Sequence, residues 1–266
     1  MLVKEVPEPA ASKRIDPVTG RLDRTGASGL NPYDAHALEA ALRMREIGVR
    51  PVEQIVALTM GPPSAARVLR RALSMGADRA VHLSDPGLVG SCLVATGYAL
   101  ARMLESERPD LVLLGQQSDD GECYAMAAIV GEQLGMPALS QVTGLELVDR
   151  TLRCERQAEY GYDLVELDLP AVVSVGDALN EPRYPSLKAL VGVREAPVEA
   201  LSAAAAGIEP GRVGTLGSRT RVLSVAEPPP RSPAEILDGS DPDAAVERTL
   251  AWLRQRRLAS MGDDRA

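Results

Sequence analysis

Two features of the sequence predict an α/β fold built on parallel strands. From Asn31 to about Leu134, amphipathic helical spacing alternates with short apolar runs, the pattern of strands joined by crossover helices. Beyond Pro137 the hydrophobic period drops to two, which adds antiparallel hairpin strands to an open, mostly parallel sheet. The 266 residues, 45% of them hydrophobic, supply core enough for one large domain or a domain with an appendage.

After an N-terminal strand, Asn31 can cap a helix and Pro32 can occupy its first turn. That helix starts near Tyr33 and carries Leu38, Ala41, Leu42 and Arg45 at helical spacing. Ile55-Val56-Ala57-Leu58 reads as a buried strand, Gly61-Pro62-Pro63-Ser64 as a turn, and Ala65 to Met75 as a helix that Gly76 ends. Ala80 to Leu83 forms the next strand, Leu93 to Leu104 a helix, and Leu111 to Leu114 the most apolar strand of this half. The loop Gly115 to Gly121 then leads into a helix from about Glu122 to Leu134. Leu145 to Leu147, Thr151 to Cys154 and Asp163 to Leu167 alternate as hairpin strands, and Ala171 to Val175 is an apolar run. From Ala200 the composition simplifies into an arm with Ala203 to Ala206 and Pro228 to Pro230, and Asp243 to Leu258 closes the chain as an amphipathic helix.

The 29 basic against 37 acidic residues give a formal charge of −8 with no basic tract, which argues against nucleic acid as a partner. Cys92, Cys123 and Cys154 lie far apart with only His36 and His82 for company, so neither a disulfide framework nor a metal site follows. Lys4 and Glu5 stand where a signal peptide needs an apolar run, and no stretch reaches membrane-spanning length; a cytoplasmic protein without membrane insertion is expected.

Open α/β sheets bind ligands beyond the carboxyl ends of their strands, which singles out the loops after Leu114, after Leu58 and after the N-terminal strand. The Gly115 to Gly121 loop offers free backbone and a following helix N-terminus for a phosphate; its Asp119, Asp120 and Glu122 fit a dipole-stabilising role equally. Asn31-Pro32-Tyr33 suits recognition of a planar cofactor or a plain helix cap. His36 and His82 read as structural. Dinucleotide-type glycine fingerprints, a P-loop and a nucleophile elbow are all absent, so binding or carrying is favoured over catalysis. Asn180-Glu181-Pro182-Arg183-Tyr184-Pro185-Ser186-Leu187 is stiffened by two prolines after the Ala171 to Val175 strand. It is either a presenting loop or a rigid connection.

These residues together resemble the β subunit of electron transfer flavoprotein, including FixA-type relatives. The match runs through Val3-Lys4-Glu5-Val6-Pro7, Asn31-Pro32-Tyr33-Asp34, Glu39-Ala40-Ala41-Leu42, Met60-Gly61-Pro62 and Met75-Gly76-Ala77-Asp78. It continues through the Leu114 to Gly121 loop, Asn180-Glu181-Pro182-Arg183-Tyr184 and Glu227-Pro228-Pro229-Pro230-Arg231. The resemblance implies a Rossmann-like (adenine-nucleotide α-hydrolase-like) domain over 1–199, with a partner-recognition loop over 180–199. Residues 200–266 would form an arm and terminal helix packing on an α subunit. It further implies a non-enzymatic electron carrier, a heterodimer whose α subunit holds most of the FAD, with AMP bound in this chain. Electrons would enter from a flavin-dependent dehydrogenase and leave to an acceptor such as a quinone oxidoreductase. The implied AMP contacts are Leu2, Asn31, Tyr33, Met60, Gln117, Ser118, Asp119, Asp120, Gly121, Glu122, Cys123, Tyr124, Ala125 and Met126. Tyr33 would also lie near the flavin. Arg183, Tyr184 and Leu187 would dock the dehydrogenase, Leu187 as the anchor.

This chain departs from the family at Asp120-Gly121-Glu122-Cys123-Tyr124-Ala125, where a hydroxyl and an amide common in relatives are missing. Gly192-Val193-Arg194-Glu195-Ala196 replaces a lysine-rich run, and Gln157 replaces a glutamate that helps hold the flavin domain. Two alternatives remain: a bifurcating β subunit with a second FAD in place of AMP, and an ATP-binding sensor or stress-type protein.

Overall fold

A computed structural model describes residues 1–8, 10–11, 13–47, 52–226, 229–230 and 233–256. The chain divides into two compact units, Met1–Val225 and Ala226–Ala266.

The first unit is organised around the N-terminal segment. Leu2 pairs with Leu58 of β5 (Val56–Met60) in parallel. The Leu2 N–H donates to the carbonyl of Leu113 in β7 (Leu111–Gly115), and Val3 N–H donates to Leu58 O, both at 2.9 Å. Met1 to Val3 therefore joins two runs of strands. On one side, β5 pairs in parallel with β6 (Arg79–Leu83), and β6 with β12 (Glu199–Leu201). On the other, β7 pairs in parallel with β11 (Ala171–Val175), and β11 with β8 (Ala138–Val148). The antiparallel strands β9 (Thr151–Ala158) and β10 (Gly161–Asp168) extend that side. All five residues of β11 are buried, as a strand covered on both faces requires.

The covers are helices. Leu38 and Leu42 of α1 (Pro32–Ile47) and Val68, Leu69 and Ala72 of α2 (Ala66–Met75) pack with Val173 and Val175 in one core cluster. Tyr98, Met103 and Leu104 of α3 (Leu93–Glu107) and Val130 of α4 (Met126–Leu134) pack with Val112, Leu114 and Val172 in the other. The chain moves outward from the N-terminal segment to β5 and β6, and α3 then carries it back to β7 on the opposite side. The carboxyl ends of the N-terminal segment and β7 thus flank a topological switch point, where open α/β sheets form a crevice.

The structure differs from the sequence expectations in four places. The helix expected from Glu122 begins at Met126, because Glu122 (φ 45°) and Tyr124 (φ 52°) adopt left-handed backbone that cannot continue a right-handed helix. The strand expected at Ile55–Leu58 runs from Val56 to Met60, with Leu58 and Met60 registered against Val81 and Leu83. The chain beyond Ala200 is not yet an arm: Glu199–Leu201 adds a strand to β6, and Ala206, Ile208 and Val213 are buried in the core. Finally, an excursion unread in the sequence separates β1 (Glu5–Pro7) from its antiparallel partner β4 (Ser28–Leu30) and contains the small hairpin β2 (Ile15–Asp16) and β3 (Arg21–Leu22).

Within the first unit, α5 (Leu187–Gly192) and α6 (Gly214–Gly217) are single short turns. The second unit holds α7 (Pro242–Gln255), whose N-cap Asp241 accepts from Ala244 N–H at 3.1 Å. Val246, Leu250 and Leu253 all fall inside α7; Leu258, at the expected helix end, lies outside the described residues, as do Glu227, Pro228 and Arg231 of the proline-rich motif. No helix among the described residues is long and apolar enough to cross a membrane.

Candidate functional site

The switch-point crevice is built from the start of α1. A Cβ at Gly115 would fall 2.5 Å from Tyr33 Cβ and 2.7 Å from the Asp34 carboxylate, so only glycine lets the end of β7 meet the first turn of α1. Asp34 uses that closeness. One carboxylate oxygen accepts from Gly115 N–H at 3.0 Å and the other from Lys4 N–H at 2.8 Å, which ties together the two strand ends flanking the crevice. Burial pushes the Asp34 carboxyl up to about 7, while hydrogen bonds from Asn31, Gly115 and Lys4 pull the other way.

Asn31, 1% exposed, shapes the loop after β7. Its amide donates to Gln117 O at 2.8 Å and accepts from Asp119 N–H at 3.1 Å, while its own N–H donates to Lys4 O at 2.9 Å. Its side chain is therefore a brace for the loop. Gln117 donates through Nε2 to the Tyr33 hydroxyl at 3.2 Å, and its Oε1 is buried with no protein partner. A buried unpaired acceptor at the mouth of a crevice is costly in an isolated chain and suits a ligand donor.

Two acids of the loop, Asp119 and Asp120, are neutralised from outside it, while Glu122 stays exposed. Lys4 Nζ reaches Asp120 at 2.7 Å and Ser118 Oγ at 3.0 Å, Arg24 makes a second ion pair with Asp120, and Lys13 pairs with Asp119 at 2.9 Å. Burial pushes the Asp120 carboxyl up, but Lys4 and Arg24 outweigh it and hold the group below its ordinary value. Sequence reasoning missed Lys13, Arg24 and the work of Lys4 and Asp34. Lys4 and Asp34 were findable, since they stand at a strand end and a helix start. The hairpin cations were not, because Arg24 and Asp120 lie far apart in sequence.

Asn31, Tyr33, Gln117, Ser118, Asp119 and Asp120 are thus gathered in one place. Gly121, Glu122, Cys123 and Tyr124 continue the loop as exposed residues, and the Cys123 thiol turns back to Gly121 O. Ala125 precedes α4 without a side-chain cap, so the first-turn N–H groups beginning at Met126 have no capping oxygen from that residue. Met60, half-buried, ends the neighbouring strand β5. Leu2 is buried in the core and offers no exposed side chain.

The second expected site follows the carboxyl end of β11 and lies against α1. Residues 180–186 form neither helix nor strand, with extended backbone at Asn180 and Ser186, and Ser186 caps α5 by accepting from Ala189 N–H at 3.2 Å. Tyr184 and Leu187 stand 90% and 78% exposed. Arg183 points the other way, into Glu39 and Glu46 of α1. Gln157 is exposed on β9 opposite Tyr162 of β10. His36 serves structure: Nδ1 lies 2.8 Å from Asn180 O, and Asn180 returns a bond to His36 O. His82 Nε2 lies 3.1 Å from Gly61 O.

The electron transfer flavoprotein domain model matches residues 19–206. The electron transfer flavoprotein subunit beta of Mycobacterium tuberculosis (strain H37Rv) is 36% identical, covering 88% of this chain and 90% of that protein. The subunit of the same description from Megasphaera elsdenii is 35% identical, over 96% and 97%. The caffeyl-CoA reductase-Etf complex subunit CarD of Acetobacterium woodii is 34% identical, also over 96% and 97%.

Proposed function

The chain belongs to the electron transfer flavoprotein family, with the β subunits as its relatives and electron transfer as its function; from that premise we propose a heterodimer with an α subunit that holds most of the FAD. The domain is Rossmann-like, and its switch-point crevice binds AMP. Electrons arrive from a flavin-dependent dehydrogenase and leave to an acceptor such as a quinone oxidoreductase, with this chain acting as carrier subunit and not itself as an enzyme. It works in the cytoplasm.

The observation that carries the nucleotide assignment is the donor set at the crevice. The buried Gln117 Oε1 without a partner can accept from an adenine amine, and the α4 first turn can donate to a phosphate. Asp119 and Asp120 do not repel that phosphate, because Lys4, Lys13 and Arg24 already pair with them. The residues present fit an adenine nucleotide on these grounds. Flavin supplies the redox chemistry when bound; this chain orients it, with Tyr33 beside the crevice and Gln157, Tyr162 and Leu164 exposed on the β9–β10 hairpin to meet the flavin domain. Tyr184 and Leu187 dock the dehydrogenase through apolar contact. The weakly charged Gly192 to Ala196 segment gives little basic steering toward that partner.

Coexpression with the α subunit tests this. Denaturing the yellow complex and separating its nucleotides is expected to release one FAD and one AMP per heterodimer. Two FAD would replace AMP by the bifurcating arrangement. A colourless chain that stays alone and binds ATP would overturn the carrier reading.

A further inference from the structure

Arg183 behaves differently from its exposed neighbours. Its Nε donates to Glu39 Oε2 at 2.7 Å and its Nη2 to Glu39 Oε1 at 3.1 Å, while Nη1 and Nη2 reach Glu46 at 2.5 and 2.9 Å. The Arg183 backbone N–H also donates to Glu39 Oε2 at 3.2 Å. Glu39 is 3% exposed and accepts further from Arg43 Nε at 2.9 Å, so its carboxylate is saturated by donors on α1 and on the loop. Arg43 reaches on to Glu181 O at 3.3 Å, and His36 and Asn180 exchange two bonds. His36, Glu39, Arg43 and Glu46 recur at spacings of three and four, which places them on one stripe of α1. That stripe grips residues 180–183, and the grip ends one residue before Tyr184.

We propose that Glu39 is the positioning residue of the partner-docking element, clamping Arg183 with Glu46 so that Arg183 is an inward strut and not a partner contact. This rests on the docking role given above to Tyr184 and Leu187. A forked guanidinium held between two carboxylates fixes direction as well as distance, which a lysine at that position cannot do. Holding the loop in its bound orientation lowers the ordering cost of association. Burial raises the Glu39 carboxyl, but Arg183 and Arg43 outweigh it and keep the group below its ordinary value, so the clamp stays charged through the neutral range.

The test uses the heterodimer with its α subunit and the flavin dehydrogenase that reduces the wild-type complex. Glu39→Gln is expected to raise the KM for that dehydrogenase about tenfold with kcat unchanged, and to speed hydrogen exchange of the Arg183 amide by about tenfold or more. Arg183→Lys in the otherwise wild-type heterodimer raises the KM by less than Glu39→Gln, because the charge remains while the fork is lost. Glu46→Gln, at an exposed carboxylate that the fold does not need, gives the same two changes on a smaller scale. Leu187→Ala separates the proposal from the reading beneath it, raising KM while the Arg183 amide exchanges as in wild type. Wild-type exchange and KM in both glutamate variants would overturn the strut even where Leu187→Ala is defective. A KM untouched by Leu187→Ala would instead overturn the docking reading, with the exchange rates still deciding whether Glu39 holds the loop.

Discussion

The start and the flank of one helix do opposite things. At its start, α1 turns Asn31 and Asp34 inward, where they are nearly inaccessible and brace the strand ends and the loop after β7. Along its flank, α1 carries a charged stripe that pushes Tyr184 and Leu187 out into solvent. The first region encloses polar groups whose partners are fixed beforehand; the second leaves apolar surface uncovered on a braced base. One helix gives both regions a common reference, but their energetics are separate. Damage to the crevice should appear as lost stability and lost nucleotide, and damage to the docking element as lost partner affinity alone.

The largest effect expected of this contrast is at Asp34. Asp34→Ala removes the acceptor of two backbone N–H groups and should cost about 2–4 kcal/mol in urea unfolding. The same residue sets a pH dependence. Its folded value of about 7 stands above its ordinary 3.8, so protons favour the folded form. That stabilisation is complete below about pH 4 and is lost as the pH rises through about 7. The buried Met1 amine, held down to about 5, works in the opposite direction in both proteins, so the test is the difference: the wild-type unfolding midpoint should fall relative to that of Asp34→Asn as the pH rises across this range. At the other region, Leu187→Ala should shift unfolding by less than about 0.5 kcal/mol, as expected for an exposed site, yet raise the dehydrogenase KM about tenfold. A destabilised Leu187→Ala, or an Asp34→Ala that weakened only partner binding, would erase the distinction.

Sequence made the framework legible where apolar runs were long. The β11 run and the α3 spacing leave one structural choice each, and both elements lie where the pattern puts them. It failed where the decisive physics is non-local or depends on backbone sign. Glu122 and Tyr124 are ordinary residues with nothing to announce left-handed backbone, so the pattern places the start of α4 four residues early. The two-residue strands β2 and β3 carry no period, and the cations they position find Asp119 and Asp120 across the fold. Glu199–Leu201 follows no apolar run and takes its strand form from the edge of β6. The prolines of residues 180–187 mark a stiff segment but leave a presenting loop and a rigid connection equally open, and residue types alone do not say which way a long arginine turns. Its inward turn comes from Glu39, which sits in a quite different part of the chain.

The central claim is that the crevice braced by Asn31 holds an adenine nucleotide independently of the flavin on the α subunit. It is tested most directly by counting nucleotides in the Asn31→Ala heterodimer, where the Gln117 carbonyl and Asp119 N–H lose their brace. The expected result is a full complement of FAD with AMP largely lost. A heterodimer that keeps AMP at the wild-type level would contradict the account.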